Sequence, residues 1–298
     1  MTNGLEVVTA GRLYCDLVFT GLDAPPTSGH EVFAEDLHLR TGGGAFITAA
    51  YLARLGHDAA LFATLPAAPF TDRVIADAEL FGLRLHGTAP GAGTAPQITV
   101  AFPLGGDRSF VTKRVGPALP DIATMPRARH LHIGEMTTAL EHPDLIGAAR
   151  RAGMTISLDC AWDGIALKRN DLGEVIAAVD LFFPNADEVA ELARQGVEPR
   201  PRQALVTKRG ADGAEYRPAS GPTLHAPARP ARIRDLTGAG DAFNAGFLSA
   251  WLRGAAPQRA LQEGTRLGAI AIAEIGGIAP DTDVTAADQP PSLQVTAS

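Results

Sequence analysis

Residues whose types point to chemistry rather than packing gather near the C-terminal end, where the chain reads RDLTGAGDAFNAGFLSAWLRG from Arg234 to Gly254. Three small residues, Gly238, Ala239 and Gly240, stand immediately before Asp241 and a strongly apolar helical pattern. The first N–H groups of a helix have no carbonyl partner within it and carry partial positive charge. Glycine lets an oxyanion approach such amides more closely than a Cβ would permit. Asp241, one helical step further, could accept a proton from an alcohol while those amides hold charge on a transferring group, which is the logic of phosphoryl transfer. The residues alone leave a second reading open, a Gly-rich turn followed by an ordinary first-turn aspartate that complements the helix dipole.

The elements that must position this stretch follow from the rest of the chain. Short β-rich runs alternate with helical patterns, which favours an α/β fold with a mostly parallel sheet covered by helices. A first strand is expected at Leu5–Ala10 and a helix in AFITAAYLARLG, stopped by Gly56 and followed by a strand in DAALFATL. Later strands are expected in HLHIG, MTISLDC, DLFFPN and ALVTKRG, with helices at Pro143–Ala152, Asp171–Ala178, Ala186–Gln195, Ala242–Arg253 and Pro257–Ile275. The stretch QITVAFPLGGDRSFVTKR breaks the rhythm, because two extended runs flank Gly-Gly-Asp without a helix, a hairpin signal. Residues 13–41 and 97–114 are accordingly expected to form a small β lid over a main domain built from 1–12, 42–96 and 115–298. Only the polar tail after Pro280 reads as dispensable to the core.

Composition narrows the partners. Among 298 residues, 46% are hydrophobic and 20% charged, and no apolar run reaches the roughly 20 residues that cross a bilayer. The N-terminus lacks the basic start and apolar block of a secretory signal, so a cytoplasmic location is expected. Cys15 and Cys160 have no metal-ligand spacing and read as reduced, packed thiols. A net charge of −7, without clustered Lys/Arg and interleaved aromatics, argues against nucleic acid and leaves a small molecule as the expected partner. Neither a GxxxxGK[ST] loop nor a GxGxxG following the first strand is present, which disfavours Walker-type sites and dinucleotide-dependent oxidoreductases.

DLTGAGDAF closely resembles the C-terminal DTxGAGDxF signature of the PfkB, or ribokinase-like, carbohydrate kinases. The resemblance covers nearly the whole chain in order. GRLYCD at Gly11–Asp16 is similar to the family's GxxxxD entrance to the sugar site, and TGGGAFITAAYLARLG to its GG signature and following helix. PNADEVAEL is similar to NxxE at Asn185 and Glu188, and VTKRGADGA to the nucleotide-loop pattern VTLGxxG.

The resemblance implies an ATP-dependent, Mg²⁺-requiring kinase acting on a hydroxyl of a sugar or sugar-like acceptor. In it Asp241 is the base and the backbone of Gly238, Ala239 and Gly240 the anion hole. It implies acceptor contacts at Asp16, Gly42, Gly43 and Glu135, and nucleotide contacts at Asn185, Lys208, Gly210 and Gly213. Glu188 would act on Mg²⁺ through water, and Asp235 and Thr237, with Gly276 and Gly277 nearby, correspond to a monovalent-cation loop of some relatives, which raises K⁺ as a further requirement. Read by themselves, Asn185 and Glu188 fit a helix cap and an exposed helix carboxylate better than a metal site, and Lys208 and Arg209 fit phosphate contacts and solvated loop cations equally. A homodimer through exposed edges of the lid is expected.

The chain also departs from the family pattern. Ile47 stands where the family's GGxxxN asparagine falls, and Ala161 where an amide often sits, with Trp162 beside it. A less polar pocket alters selectivity, because a site built for a hydroxyl rejects analogues that lack it. Two alternatives are a nucleoside (adenosine-like) kinase, favoured by the apolar Ile47 and Ala161 and by Trp162, which would face a base, and a catalytically inactive sugar-binding regulator.

Overall fold

The computed structural model describes residues 4–91, 93–104, 107–278 and 282–284. The chain opens with β1 (Leu5–Ala10), β2 (Tyr14–Thr20) and β3 (Asp36–Gly42), then α1 (Gly44–Arg54), β4 (Ala59–Thr64), α2 (Thr71–Leu80) and β5 (Arg84–Thr88). The pair β6 (Ile98–Leu104) and β7 (Asp107–Lys113) follows, then β8 (Ala128–Ile133), α3 (Met136–Glu141), α4 (Asp144–Arg151), β9 (Thr155–Asp159), α5 (Leu172–Ala178), β10 (Leu181–Phe183) and α6 (Ala186–Arg194). The last elements are β11 (Ala204–Lys208), β12 (Ala214–Pro218), β13 (Leu224–Ala226), α7 (Ala239–Leu252) and α8 (Pro257–Ala271).

Nine strands form one sheet in the order β13-β12-β11-β10-β9-β8-β1-β4-β5. Pairings from β11 through β5 are parallel, and β12 and β13 add antiparallel edges. Strand β1 shows why such a strand reads as a continuous apolar run: Val7 and Val8, both fully buried, point to opposite faces and join two separate cores. Helices α1, α7 and α8 cover the Val7 face, and α4 and α5 contribute to the Val8 face. Strand order reverses around β1, which lies between β4 and β8, so a crevice opens beyond the carboxyl ends of β1 and β8.

The second sheet has the order β3-β2-β6-β7, with β2 and β6 parallel and the other pairs antiparallel. Its register sorts side chains by face, since they alternate along each strand. Arg40, Asp16, Thr99 and Thr112 form one row, and Leu39, Leu17, Val100 and Val111 form the row on the opposite face. Arg12, buried at the crossing between the sheets, donates to Gln97 Oε1 (2.6 Å), to the carbonyls of Val115 (3.2 Å) and Gly116 (2.9 Å), and to Glu141 Oε2 (2.7 Å).

Several expectations need correction. Helix α2 and strands β5, β12 and β13 were not anticipated, and α8 ends at Ala271 rather than Ile275. The Gly105–Gly106 turn lies outside the described residues, while its flanking strands pair antiparallel. The tail is not wholly dispensable. Thr282 and Val284 are buried, Arg54 donates to the Thr282 carbonyl (2.7 Å), and Arg266 donates to that of Val284 (3.0 Å). Most of the remaining tail is outside the described residues. Cys15 and Cys160 are free and buried, as expected.

Candidate active site

Helix α7 is apolar on every side, with Ala242 to Ala250 all buried, so its N-terminus is held rigidly in the crevice. Gly238 caps it in the left-handed region (φ 74°), and its Cα faces inward so closely that a Cβ there would stand 2.5 Å from Gly277 Cα. The Ala239 N–H is taken by the Leu236 carbonyl (3.3 Å), which corrects the expected anion hole of Gly238, Ala239 and Gly240 by removing the Ala239 amide and leaves Gly240 and Asp241 as donors within the first turn.

Asp241 lies against the head of α1. A Cβ on Gly44 would stand 2.7 Å from Asp241 Oδ1 and 2.9 Å from the Gly134 carbonyl, and the Thr48 hydroxyl donates to the Asp241 carbonyl (3.2 Å). Burial, then the charge of Asp159, pushes the Asp241 carboxyl up to about 7, with Lys208 pulling the other way and Glu135 and Asp16 adding to the rise. Gly43 occupies a positive φ of 106°, where an added Cβ would strike the Arg12 carbonyl, and a Cβ on Gly42 would strike the Asp16 carboxylate. The GG signature thus lets the α1 head, the β1 end and the small sheet converge. Glu135 caps α3 and accepts from the Arg12 amide (2.7 Å) and the Thr138 hydroxyl; its carboxyl is raised by burial, against those two hydrogen bonds. Asp16 is likewise pushed up to about 7, chiefly by burial and against a hydrogen bond from Thr99.

Lys208 is no solvated loop cation. Its Nζ lies 2.9 and 2.8 Å from the two carboxylate oxygens of Asp159 and 3.5 Å from Asn244 Oδ1, and Asn244 Nδ2 donates to Asp159 as well. A Cβ on Gly240 would stand 3.3 Å from that Nζ, so the ammonium reaches the first turn of α7 because Gly240 has no side chain. Burial lowers the Lys208 pKa, but Asp159 and Glu188 outweigh it and the net shift is upward. Arg209 pairs instead with Glu215 (3.3 Å) at the turn between β11 and β12. Gly210 and Gly213 make that turn, both at positive φ, and a Cβ on Gly213 would strike the Ala226 carbonyl.

Asn185 and Glu188 form a reciprocal capping box on α6: Asn185 Oδ1 accepts from the Glu188 amide (2.8 Å) and Glu188 Oε2 from the Asn185 amide (2.7 Å). The cap expectation holds, but Glu188 is buried, with 2% exposure, rather than exposed. Burial and the Asp159 charge push its carboxyl up to about 7, against Lys208. A carboxylate in that state would ionise readily beside a dication. Among the described residues no group of three or more His, Cys, Asp or Glu side chains is arranged to hold a metal unaided. One carboxylate completed by phosphates and water is a donor set that Mg²⁺ accepts. Asp235 braces the turn before α7, accepting from the amides of Thr237 (2.9 Å) and Gly276 (2.6 Å).

Residue types alone did not single out Arg12, Arg40, Gly44 or Asn244. The signal for Asn244 was present, as the one amide in an otherwise apolar helical run, three residues after Asp241. Ile47 is buried at 4%, and a Cβ on Gly277 would stand 2.8 Å from its Cδ1, so it packs against that turn. Trp162 is 56% exposed.

This assembly of a glycine-capped helix, a carboxylate at its first turn and a strand-end crevice under a second sheet is that of a sugar kinase. The sequence pattern of the pfkB family carbohydrate kinases matches residues 6–283, and the chain belongs to that family. A protein named ATP-dependent ribose-1-phosphate kinase, from Halopiger xanaduensis, is 31% identical over 302 residues, covering 95% of this chain and 97% of the relative. A 2-dehydro-3-deoxygalactonokinase from Haloferax volcanii is 27% identical over 303 residues, covering 89% and 90%. Among solved structures, a putative ribokinase II from E. coli in complex with ATP and Mg²⁺ superposes with a TM-score of 0.77 at 20% identity, over 92% of this chain and 94% of that one, a likeness of fold. The protein is a carbohydrate kinase with a ribokinase-like fold.

Proposed function

We propose that this kinase transfers the γ-phosphoryl group of ATP to a hydroxyl of a sugar acceptor, with Asp241 as base. The observation that carries the reading is the position of Asp241. Its carboxylate, in the first turn of α7, lies against the head of α1 at Gly44, and the Lys208 ammonium reaches the same turn at Gly240. The acceptor oxygen forms a bond to phosphorus as the bond to the ADP oxygen breaks, and the hydroxyl proton passes to Asp241. The amides of Gly240 and Asp241, with Lys208, hold charge on the transferring group. Mg²⁺, when bound beside Glu188, would supply neutralisation of phosphate charge. Asp16 and Glu135 orient acceptor hydroxyls, and Gly42 and Gly43 let the acceptor approach the α1 head. Gly210 and Gly213 shape the nucleotide loop, and Asp235 and Thr237 are the groups on which a K⁺ requirement would rest.

In the same reading the small sheet closes over the acceptor and excludes water that would otherwise consume ATP. Its apolar row, Leu39, Leu17, Val100 and Val111, supports pairing of two chains through this sheet. For the nucleoside alternative, Ile47 packs against the Gly277 turn and Trp162 is exposed. The test is ADP release by the purified protein with Mg²⁺ and a panel of sugars, sugar phosphates, sugar acids and nucleosides. Acceptor-dependent ADP is expected with a sugar, and turnover confined to nucleosides would reject the reading.

A further inference from the structure

Resting on that kinase reading, we infer that the acceptor carries an anionic group and that Arg40 binds it. Arg40 stands directly opposite Asp16 in the β2–β3 ladder, on the same face of the small sheet. Side-chain stems at such positions lie about 5 Å apart, so one sugar can meet both groups. The Arg40 stem also reaches the glycine turn that follows α8. A Cβ on Gly276 would stand 3.0, 3.6 and 3.6 Å from its Cγ, Cδ and Nε, and the next residue, Gly277, is the one against which Gly238 packs. The guanidinium therefore joins the sheet that carries Asp16 to the glycine turn that leads into the catalytic helix.

What makes Arg40 unusual is a buried donor without an acceptor. Its Nε is buried with no hydrogen-bond acceptor, and Nη1 donates only to the neighbouring Leu39 carbonyl (3.1 Å). Among the described residues no carboxylate forms an ion pair with it. Nearby Asp77 is already taken by Arg73 (2.9 Å) and by the amide and hydroxyl of Thr41 (3.2 and 2.7 Å). Asp16 is held by Thr99. Buried donors without acceptors are rare and costly, and a guanidinium fork matches the oxygens of a phosphate or carboxylate. An anion on the acceptor satisfies Arg40, while Lys208 and the α7 amides serve the group being transferred.

A sugar phosphate and a sugar acid share this chemistry, and the experiment separates them. Binding of ribose 1-phosphate, a 2-dehydro-3-deoxyhexonate and neutral ribose is measured by the rise in melting temperature, and turnover by ADP release, for the natural enzyme, R40K and R40Q. One of the anions should bind at least about tenfold more tightly than ribose. In R40Q the preference in kcat/KM for that anion over ribose should fall about 10- to 100-fold, the scale of one charge-assisted hydrogen bond, with R40K between the two. Inorganic phosphate competing with the bound anion on the natural enzyme supplies a readout that needs no variant to fold. Equal binding of ribose and both anions, or an R40Q enzyme with undiminished preference, overturns the inference. Arg40-dependent anion binding without ADP release from any acceptor would leave it standing and reject the kinase reading instead.

Discussion

In the proposed role of base, Asp241 would draw on surroundings that disfavour its charge. Burial and Asp159 raise its carboxyl to about 7, while Lys208 acts against them. The unprotonated form is the one that accepts a proton, so kcat/KM is expected to fall as pH drops below about 7, with a slope of one. Asp241→Asn should lower kcat by at least about 10²–10⁴-fold and leave ATP binding, followed by calorimetry, nearly intact; turnover at the ordinary rate would remove Asp241 from the role. Asp159 and Lys208 offer a second check because their effects on Asp241 have opposite signs. Asp159→Asn removes a negative neighbour and should move the acidic limb to lower pH, and Lys208→Ala should move it higher. Both variants should lose roughly 10- to 100-fold in kcat, as expected when a charge-assisted contact is lost. Limbs that shift in the same direction, or not at all, would show that the pair is structural only.

At the scale of elements, the site depends on backbones that approach without side chains between them. Gly44 begins α1 where its hydrogen faces both Asp241 Oδ1 and the Gly134 carbonyl. A methyl group there meets a backbone oxygen at 2.9 Å, and neither α1 nor the end of β8 can yield easily, since both are packed on buried strands. Gly44→Ala should therefore cost about 1–3 kcal/mol in urea unfolding and displace the base enough to depress kcat. Gly173→Ala is the matched control: it lies in α5 with no heavy atom within 4 Å of the added methyl, so the same substitution should be neutral or slightly stabilising. Equal behaviour of the two would mean that contact at the head of α1 does not matter.

For the whole molecule, the two faces of the small sheet differ in character. The polar row with Asp16 and Arg40 is on the side of α7, whereas the other face leaves Leu39 40% and Val111 63% exposed. Two chains that bring these faces or edges together would bury that apolar surface and stiffen the cover over the acceptor. Sedimentation of the natural protein is expected to show a dimer at micromolar concentration, and Leu39→Lys combined with Val111→Lys should shift it to a monomer with unchanged circular dichroism. A natural protein that sediments as a monomer would set this assembly aside.

What could be read without coordinates was local in origin. The α/β alternation, the glycine-capped start of α7 and the carboxylate beside it depend on neighbours within a turn or two of chain, and sequence spacing records those directly. The Asn185 cap of α6 was likewise legible, but the reciprocal bond from Glu188 was not, because that carboxylate was expected at the surface. Other features depend on which strands lie side by side. Lys208 meets Asp159 because their strands end together on either side of β10, and Arg40 faces Asp16 because Tyr14 pairs with Gly42. Burial of Glu188 and docking of Thr282 and Val284 belong to the same class. Register and strand order come from contacts tens to hundreds of residues apart, where a shift of one residue would turn every side chain to the other face. The sequence by itself determined which groups could do the chemistry; the tertiary structure decided which of them meet, which are paired, and that Arg40 is left with an acceptor still to find.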